Sequence, residues 1–206
     1  VCRYCMYTGE LFMVLTDKKI LELSKANIIT PFDERYLQSE SYDLHIGDKV
    51  YCLDSSKTYI DLQDDNNLTG MYVEYPLKST GMMLSPKQFV LVSLKETILL
   101  PDTITAHIRP RTRFTRAGLY VSSQHCNSSY NGQLRIGLYN FQDRPIKIYP
   151  HIGICQIVFE ELDGTPSEAR LYKNKKTAQY QNEQDFRGPA ADPVVNELLE
   201  SYLKSI

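Results

Sequence analysis

Four arginines crowd into eight positions in the middle of the chain: Arg109, Arg111, Arg113 and Arg116. If residues 109–113 are extended, the first three side chains point to one face, because side chains alternate along a strand. Like charges this close repel one another unless an anion lies among them, and guanidinium groups match phosphate oxygens well. The spacing therefore predicts a local phosphate site. The structural alternative is that Arg111 and Arg116 form ion pairs at a subunit interface.

A tight hairpin is predicted shortly after the arginine segment. Asn131-Gly132 separates a short apolar strand from the alternating residues 133–140. Asn-Gly between alternating runs is the strongest short-range hairpin signal, since both turn residues need positive φ. Tyr130 precedes the turn, and packing within the hairpin is the alternative to a binding role for it.

Bulk composition excludes several classes of protein. With a net charge of −2 over 206 residues, a general nucleic-acid-binding surface is not indicated. No apolar run approaches the ~18 residues of a membrane span, so we expect neither nucleic acid nor membrane as a partner. Five scattered cysteines fit reduced thiols better than a disulfide framework, and together with the absence of a leader pattern they suggest a cytoplasmic protein.

The elements that position these residues are mostly short strands. Residues 41–53 alternate well enough for strands, with a turn at Gly47-Asp48, and residues 88–94 are apolar on both faces like a central strand. Asp43 lies in the first of these runs, and a buried strand carboxylate needs a partner; a surface position capping a turn is its alternative. Many short strands with regular turn signals predict a closed or double-sheet β fold.

The two ends of the chain differ from this β region. Cys2-x-x-Cys5 resembles half a zinc site, but no second ligand pair follows at finger spacing, which favours a simple extension. Residues 18–25 predict a helix with Thr16 or Asp17 as its N-cap. Residues 172–190 are polar, as in segments that become ordered over a ligand.

Residues 193–206 predict an amphipathic helix with one apolar stripe. An isolated helix of this length is marginal in water, so we expect it to dock on the β domain or on a neighbouring subunit.

Five stretches resemble the trimeric dCTP deaminase/dUTPase family. PRTRFTRAGL (110–119) resembles its phosphate-binding motif, and HCNSSYNGQLRIGLYN (125–140) resembles its base-binding hairpin. SYDLHIGDKV (41–50), VLTDKKILEL (14–23) and TAQYQNEQ (177–184) resemble its first motif, its amino-terminal helix and its closing segment. The resemblance covers residues 13–184 and preserves the order of the motifs.

The resemblance implies a fold and a division of the chain. We expect a mainly β, distorted jelly-roll of the dUTPase type with an amino-terminal and a carboxy-terminal helix. The expected parts are an extension over residues 1–12, the β domain over 13–170, a closing segment over 171–192 and a helix over 193–206. The family also implies a homotrimer with its sites between subunits.

The same resemblance implies a set of site residues. Arg111, Thr112 and Arg116 match the phosphate-binding motif, and Thr112 and Arg116 are also catalytic candidates. Asp43 matches a position that supports the active site. The nucleotide-binding residues implied in full are Arg111, Thr112, Arg113, Arg116, Gln124, Asn127, Tyr130, Tyr172, Gln179 and Gln184. The expected ligand is a pyrimidine deoxynucleotide, with no protein-bound cofactor or metal and with Mg²⁺ possible on the phosphates.

Both general bases of the family are missing from the matching positions. Gly137 stands where the deaminases have a glutamate, and Asn127 stands where the dUTPases have an aspartate. Neither a glycine nor an amide accepts a proton in this role. The chain also lacks the H-x-E and P-C-x-x-C motifs of zinc deaminases. His125 is a candidate substitute base, with a structural histidine as its alternative, and Glu183 places an acid in the closing segment.

Three functional hypotheses follow from this sequence. The first is a deaminase-like protein that binds a dCTP- or dUTP-class nucleotide with little turnover. The second is a catalytically silent trimer that senses a nucleotide or binds a partner. The third is an active deaminase or dUTPase with a rearranged base, supplied by His125 or by Glu160, Glu161 or Glu183 of a neighbouring subunit.

Overall fold

The computed structural model of the protein describes residues 13–205. The Cys2-x-x-Cys5 pair and the predicted extension over residues 1–12 lie outside the described residues.

Antiparallel strands supply most of the regular secondary structure. Within residues 13–205 they are β1 (Met13–Val14), β2 (Ile29–Thr30), β3 (Tyr42–Leu53), β4 (Tyr72–Pro76), β5 (Met82–Leu84), β6 (Phe89–Leu99), β7 (Ile104–Pro110), β8 (Leu119–Val121), β9 (Gln124–Cys126), β10 (Asn131–Asn140), β11 (Ile146–Ile148) and β12 (Gly153–Glu161). The α-helices are α1 (Asp17–Ser24), α2 (Asp65–Leu68), α3 (Thr112–Arg116) and α4 (Pro193–Leu203), with short 3₁₀ turns at Glu34–Tyr36, Glu168–Arg170 and Tyr172–Asn174.

Ten of these strands form one curled sheet. Its main path runs β8-β10-β6-β3-β12-β7-β9, with β1, β2 and β4 attached to β12, β6 and β3, while β5 and β11 form a separate pair. One face of the sheet closes over the core, which contains fully buried Tyr42, Ile136 and Phe159. The alternating pattern of the strands supplies this apolar face, as the sequence predicts.

Strand β3 corrects one predicted turn. Gly47-Asp48 lies inside a single twelve-residue strand, where the pairing with β6 shifts register between Ile46 and Val50. A Cβ at Gly47 would lie 2.6 Å from Ser93 Oγ. The glycine therefore allows close approach of β6 within an irregular strand.

The two terminal helices form as predicted, but their ends and packing differ from expectation. Thr16 is the N-cap of α1, but its side chain forms no hydrogen bond with the backbone of this described helix. Ile20 is the residue of α1 that is buried. Asp192 caps α4 by accepting from Val194 N and Val195 N.

The apolar stripe of α4 is exposed, with Leu198 65% and Tyr202 64% accessible, so docking of this helix on the chain's own β domain is wrong. Docking on a neighbouring subunit stays a prediction. Among residues 13–205, no helix has the length and apolar character of a membrane span.

Candidate functional site

The arginine segment turns out of the sheet after Pro110. The chain stays extended through Arg111, the N-cap of α3, but Thr112 and Arg113 are helical, so an extended segment over residues 109–113 forms only in part. Pro110 ends β7, and the turn into α3 buries Phe114, which is only 8% exposed. Burial of this ring stabilises the helical turn over a strand that would spread the arginines on one face.

Arg111 forms an ion pair inside the chain. Its Nη1 lies 2.9 Å from Asp43 Oδ2, and Asp43 is 5% exposed in β3. Arg111 therefore pairs within its own chain, in place of the ion pair at a subunit interface that was its alternative. Asp43 is buried, so it does not cap a turn at the surface. The second oxygen of Asp43, Oδ1, is buried without a hydrogen-bond partner among the described residues.

A small surface pocket of about 270 Å³ lies at this segment. It is lined by Arg111, Thr112, Arg113 and Gln156. Arg113 is exposed, and within the described part of the chain no carboxylate lies within 4.0 Å of its guanidinium. The pocket therefore presents, beside the paired Arg111, one free guanidinium of the kind that binds phosphate oxygens. We call it the arginine pocket.

The predicted Asn-Gly hairpin is also corrected. The turn is at Asn127–Tyr130, where Tyr130 N donates to Asn127 O and Ser129 has φ 64°. Asn131 already begins β10, and β9 pairs with β7 while β10 pairs with β6 and β8. Gly132 allows the closing segment to come close to β10. A Cβ at this position would lie 2.7 Å from Tyr130 Oη and 3.1 Å from the backbone nitrogen of Glu183.

A larger cavity of about 460 Å³ lies beside this turn. The turn region contributes Gln124, His125, Cys126, Asn127, Tyr130, Leu134 and Arg135. Strands β4 and β6 contribute Tyr72 and Leu91, and the chain beyond β12 contributes Tyr172, Tyr180, Glu183, Phe186, Arg187 and Pro189. Its size and its mixture of aromatic walls with a few charged groups are typical of a small-molecule site. We call it the hairpin cavity.

The closing segment over residues 171–192 forms the roof of this cavity. Asn182 N donates to Asn131 O at 2.7 Å, and Gln133 N donates to Glu183 O at 2.8 Å, which makes an added strand-like contact along β10. The Phe186 ring stacks on Tyr51 with 4.0 Å between centroids. The chain's own contacts hold the segment in this position, and its ordering over a ligand stays a prediction.

The structure separates the predicted site residues into two groups. Gln124, His125, Asn127, Tyr130 and Tyr172 meet at the hairpin cavity, and Arg111, Thr112 and Arg113 meet at the arginine pocket.

Three predicted residues line neither site within residues 13–205, namely Arg116, Gln179 and Gln184. The carbonyl of Gln179 accepts from Arg187 Nη1 at 2.8 Å, and that of Gln184 accepts from Arg135 Nη2 at 2.9 Å. These two residues therefore fasten the roof.

His125 lies at the edge of the cavity beside a second histidine. Its ring centroid is 4.9 Å from that of His107, and His107 Nε2 is 3.7 Å from Glu160 Oε2. Partial burial, and then the neighbouring His107, lower the pKa of His125, while Asn127 opposes the shift. His125 therefore holds a proton less tightly than a free histidine, and the neighbouring His107 is half-buried.

The two positions that hold carboxylates in the family differ in their surroundings. Asn127 lines the hairpin cavity. Gly137 is paired with Leu91 on β6, and a Cβ there would lie 2.9 Å from Cε2 and Cζ of Phe89. The Phe89 ring therefore occupies the space into which a side chain at position 137 would extend.

Three charged residues line the cavity that were not among the predicted nucleotide-binding residues, namely Arg135, Glu183 and Arg187. Arg135 is 8% exposed and Glu183 is 3% exposed. Burial raises the pKa of the Glu183 carboxyl, opposed by the Arg187 backbone N–H, which donates to Oε1 at 2.9 Å. Alternation along β10 places Arg135 on the same face as Gly137, which was the available signal in the sequence.

Comparison with known proteins identifies the family. The model of the dCTP deaminase-like family matches residues 14–162, most of the chain. The chain belongs to the dCTP deaminase-like family. The fold prediction, mainly β and of the dUTPase type with helices near both termini, is therefore confirmed.

Individual relatives agree with the family assignment. A protein of Persephonella marina named "dCTP deaminase, dUMP-forming" is 32% identical over 170 residues, which cover 81% of this chain and 93% of the relative. A protein of Hydrogenobaculum sp. with the same name is 35% identical over 159 residues, covering 75% and 86%. The solved 2'-deoxycytidine 5'-triphosphate deaminase of Agrobacterium tumefaciens superposes with a TM-score of 0.60 at 21% identity, covering 73% of this chain and 47% of that chain.

Proposed function

We propose that this member of the dCTP deaminase-like family binds a pyrimidine deoxynucleotide of the dCTP or dUTP class between the subunits of a homotrimer. Relatives at 32% and 35% identity carry the name "dCTP deaminase, dUMP-forming", which supports this ligand class. The phosphates bind at the arginine pocket, accompanied by Mg²⁺, and the base binds in the hairpin cavity.

The separation of the two sites on one chain is the observation that carries the proposal. Within residues 13–205, the arginine pocket and the hairpin cavity share no lining residue. A nucleotide needs cationic groups for its phosphates and an apolar, aromatic site for its base. Apposing the arginine pocket of one copy with the hairpin cavity of the next supplies both, and closed cyclic symmetry repeats that contact around the ring.

Turnover of the bound nucleotide is expected to be very slow or absent. Deamination needs a positioned base for the attacking water. Phe89 fills the space beside Gly137, and Asn127 offers an amide in the cavity. The roof over the cavity is held by the chain's own hydrogen bonds, which favours nucleotide sensing as the second candidate function.

A nucleotide panel followed by product analysis tests the proposal. Thermal-shift measurements with dCTP, dUTP, dCMP, dUMP and purine deoxynucleotides should show stabilisation by pyrimidine deoxynucleotides, because a ligand that binds the folded state raises its apparent stability. Chromatography of each stabilising mixture should then recover the nucleotide unchanged. Stabilisation by purine and pyrimidine nucleotides alike would contradict the ligand class.

A further inference from the structure

Two oppositely charged side chains face the same cavity without pairing. Arg135 projects from β10 and Glu183 from the roof, and both line the hairpin cavity. Two hydrogen bonds to backbone carbonyls hold the roof against β10 here. Gln133 N donates to Glu183 O at 2.8 Å, and Arg135 Nη2 donates to Gln184 O at 2.9 Å. Within residues 13–205, however, no ion pair within 4.0 Å joins the guanidinium to the carboxylate.

Arg135 has donors left over. Its Nη1 donates to Gln133 O at 2.7 Å, and its guanidinium carbon lies 5.7 Å from the centroid of the Tyr51 ring. The Nε of Arg135 is buried from solvent without an acceptor among the described residues, and the hydroxyl of the neighbouring Tyr51 is buried without a partner in the same part of the chain. The donors left for a ligand are therefore the second N–H groups of Nη1 and Nη2, because each described hydrogen bond uses only one of the two.

Glu183 supplies a hydrogen-bond acceptor on the roof of the cavity. Its Oε1 accepts from Arg187 N at 2.9 Å, which fixes the carboxyl group at the cavity wall. An ionised carboxylate accepts hydrogen bonds at both oxygens and keeps capacity for a second donor. A ligand N–H is therefore the natural partner for it.

The remaining walls favour a flat ring. Aromatic residues surround the pair: Tyr72, Tyr130, Tyr172, Tyr180 and Phe186. A planar base meets aromatic faces of the kind on which nucleobases stack.

The geometry points to Arg135 and Glu183 as a base-reading pair: Arg135 donates to a ring acceptor of a pyrimidine, and Glu183 accepts from the neighbouring N–H. Uracil offers this combination as a carbonyl oxygen beside N3–H, and cytosine offers it as N3 beside its amino group. The inference rests on the proposed function and names the residues that recognise the base. It also assigns Glu183, in the closing segment, to the base and not to the phosphates.

Titration calorimetry with dUMP and with its N3-methyl derivative tests the pair, because methylation removes the N–H that Glu183 accepts. The wild-type protein should bind dUMP at least about tenfold more tightly than the methylated form, the effect of one charge-assisted hydrogen bond. Glu183→Ala, which removes the acceptor, should lose this preference. Arg135→Lys, which keeps the charge but not the planar fork, should weaken dUMP about tenfold.

Glu197→Ala on the exposed face of α4 is the matched control and should bind like the wild type. Circular dichroism melting verifies that each variant is folded. If Glu183→Ala keeps the preference, or the wild type binds both ligands equally, the pair does not recognise the base and the proposed function stands. If the wild type binds no pyrimidine nucleotide at all, the proposed function fails, and the inference fails with it.

Discussion

Restoring a carboxylate at position 137 should restore turnover only if room is made for it. Ordinary carbon–carbon contacts are ~3.5–4.0 Å, whereas a Cβ at Gly137 would lie 2.9 Å from the Phe89 ring. Gly137→Glu alone must therefore displace this ring, and overpacking of this kind costs roughly 1–3 kcal/mol. Phe89 is 39% exposed, so its ring can move outward, and the variant should fold with a lowered melting temperature.

The double variant Phe89→Ala/Gly137→Glu removes the obstruction. Alternation along β10 places the new carboxylate on the same face as Arg135, and its β6 partner Leu91 lines the hairpin cavity. A positioned general base contributes ~10²–10⁴-fold, so deamination of dCTP should rise by about that factor above the wild-type background.

Chromatographic conversion of dCTP, followed with ammonia release, measures this gain. The matched control is Phe89→Ala/Gly137→Gln, which fills the same space with an amide that cannot accept the proton. Phe89→Ala alone corrects for any effect of opening the site. Equal rates for the glutamate and glutamine variants would refute the reasoning, as would ordinary enzymatic turnover by the wild type.

Three further predictions concern the arginines, the roof and the pH dependence. Arg113→Ala should weaken nucleoside triphosphate binding about ten- to a hundredfold with little change in melting temperature, whereas Arg111→Ala should also lower that temperature because it leaves Asp43 buried without its partner. Phe186→Ala should release the roof and speed limited proteolysis between residues 171 and 192, where unchanged digestion would count against the stacking contact. Burial raises the pKa of Glu183 above its usual 4.5, so the folded state holds this proton more tightly and stability should fall as pH rises from 4.5 through the raised pKa. Glu183→Gln should remove that slope in urea melts, and an identical slope would exclude this residue as its source.

Sequence patterns predicted the framework of the fold because alternation and helix caps are local signals. The long strands β3, β6 and β10 follow runs of alternating or continuous apolar residues. Asp43 stood out as a carboxylate in such a run, and it is buried and paired. The family's motifs, in their order, led to the correct family.

Features that depend on distant contacts could not be predicted in this way. The hairpin turn predicted at Asn131-Gly132 does not form. Gly132 lies inside β10, where it lets the closing segment pack closely at Glu183, far along the chain. Glu183 lies in a polar stretch without periodicity, and only the tertiary contacts of the roof make it a buried wall residue. The obstruction by Phe89 depends on strand register, which residue types alone do not specify.

Binding of dCTP to mixed oligomers tests the central claim, a nucleotide site shared between subunits. One variant, Arg113→Ala, weakens the phosphate side, and the other, Asn127→Trp, fills the hairpin cavity. Each alone should bind dCTP weakly. Trimers assembled by coexpressing the two should regain roughly a quarter of the wild-type number of tight sites, because only mixed rings place an intact arginine segment against an intact cavity. Tight binding of dCTP by a monomeric wild-type protein, or no recovery in verified mixed trimers, would contradict the account.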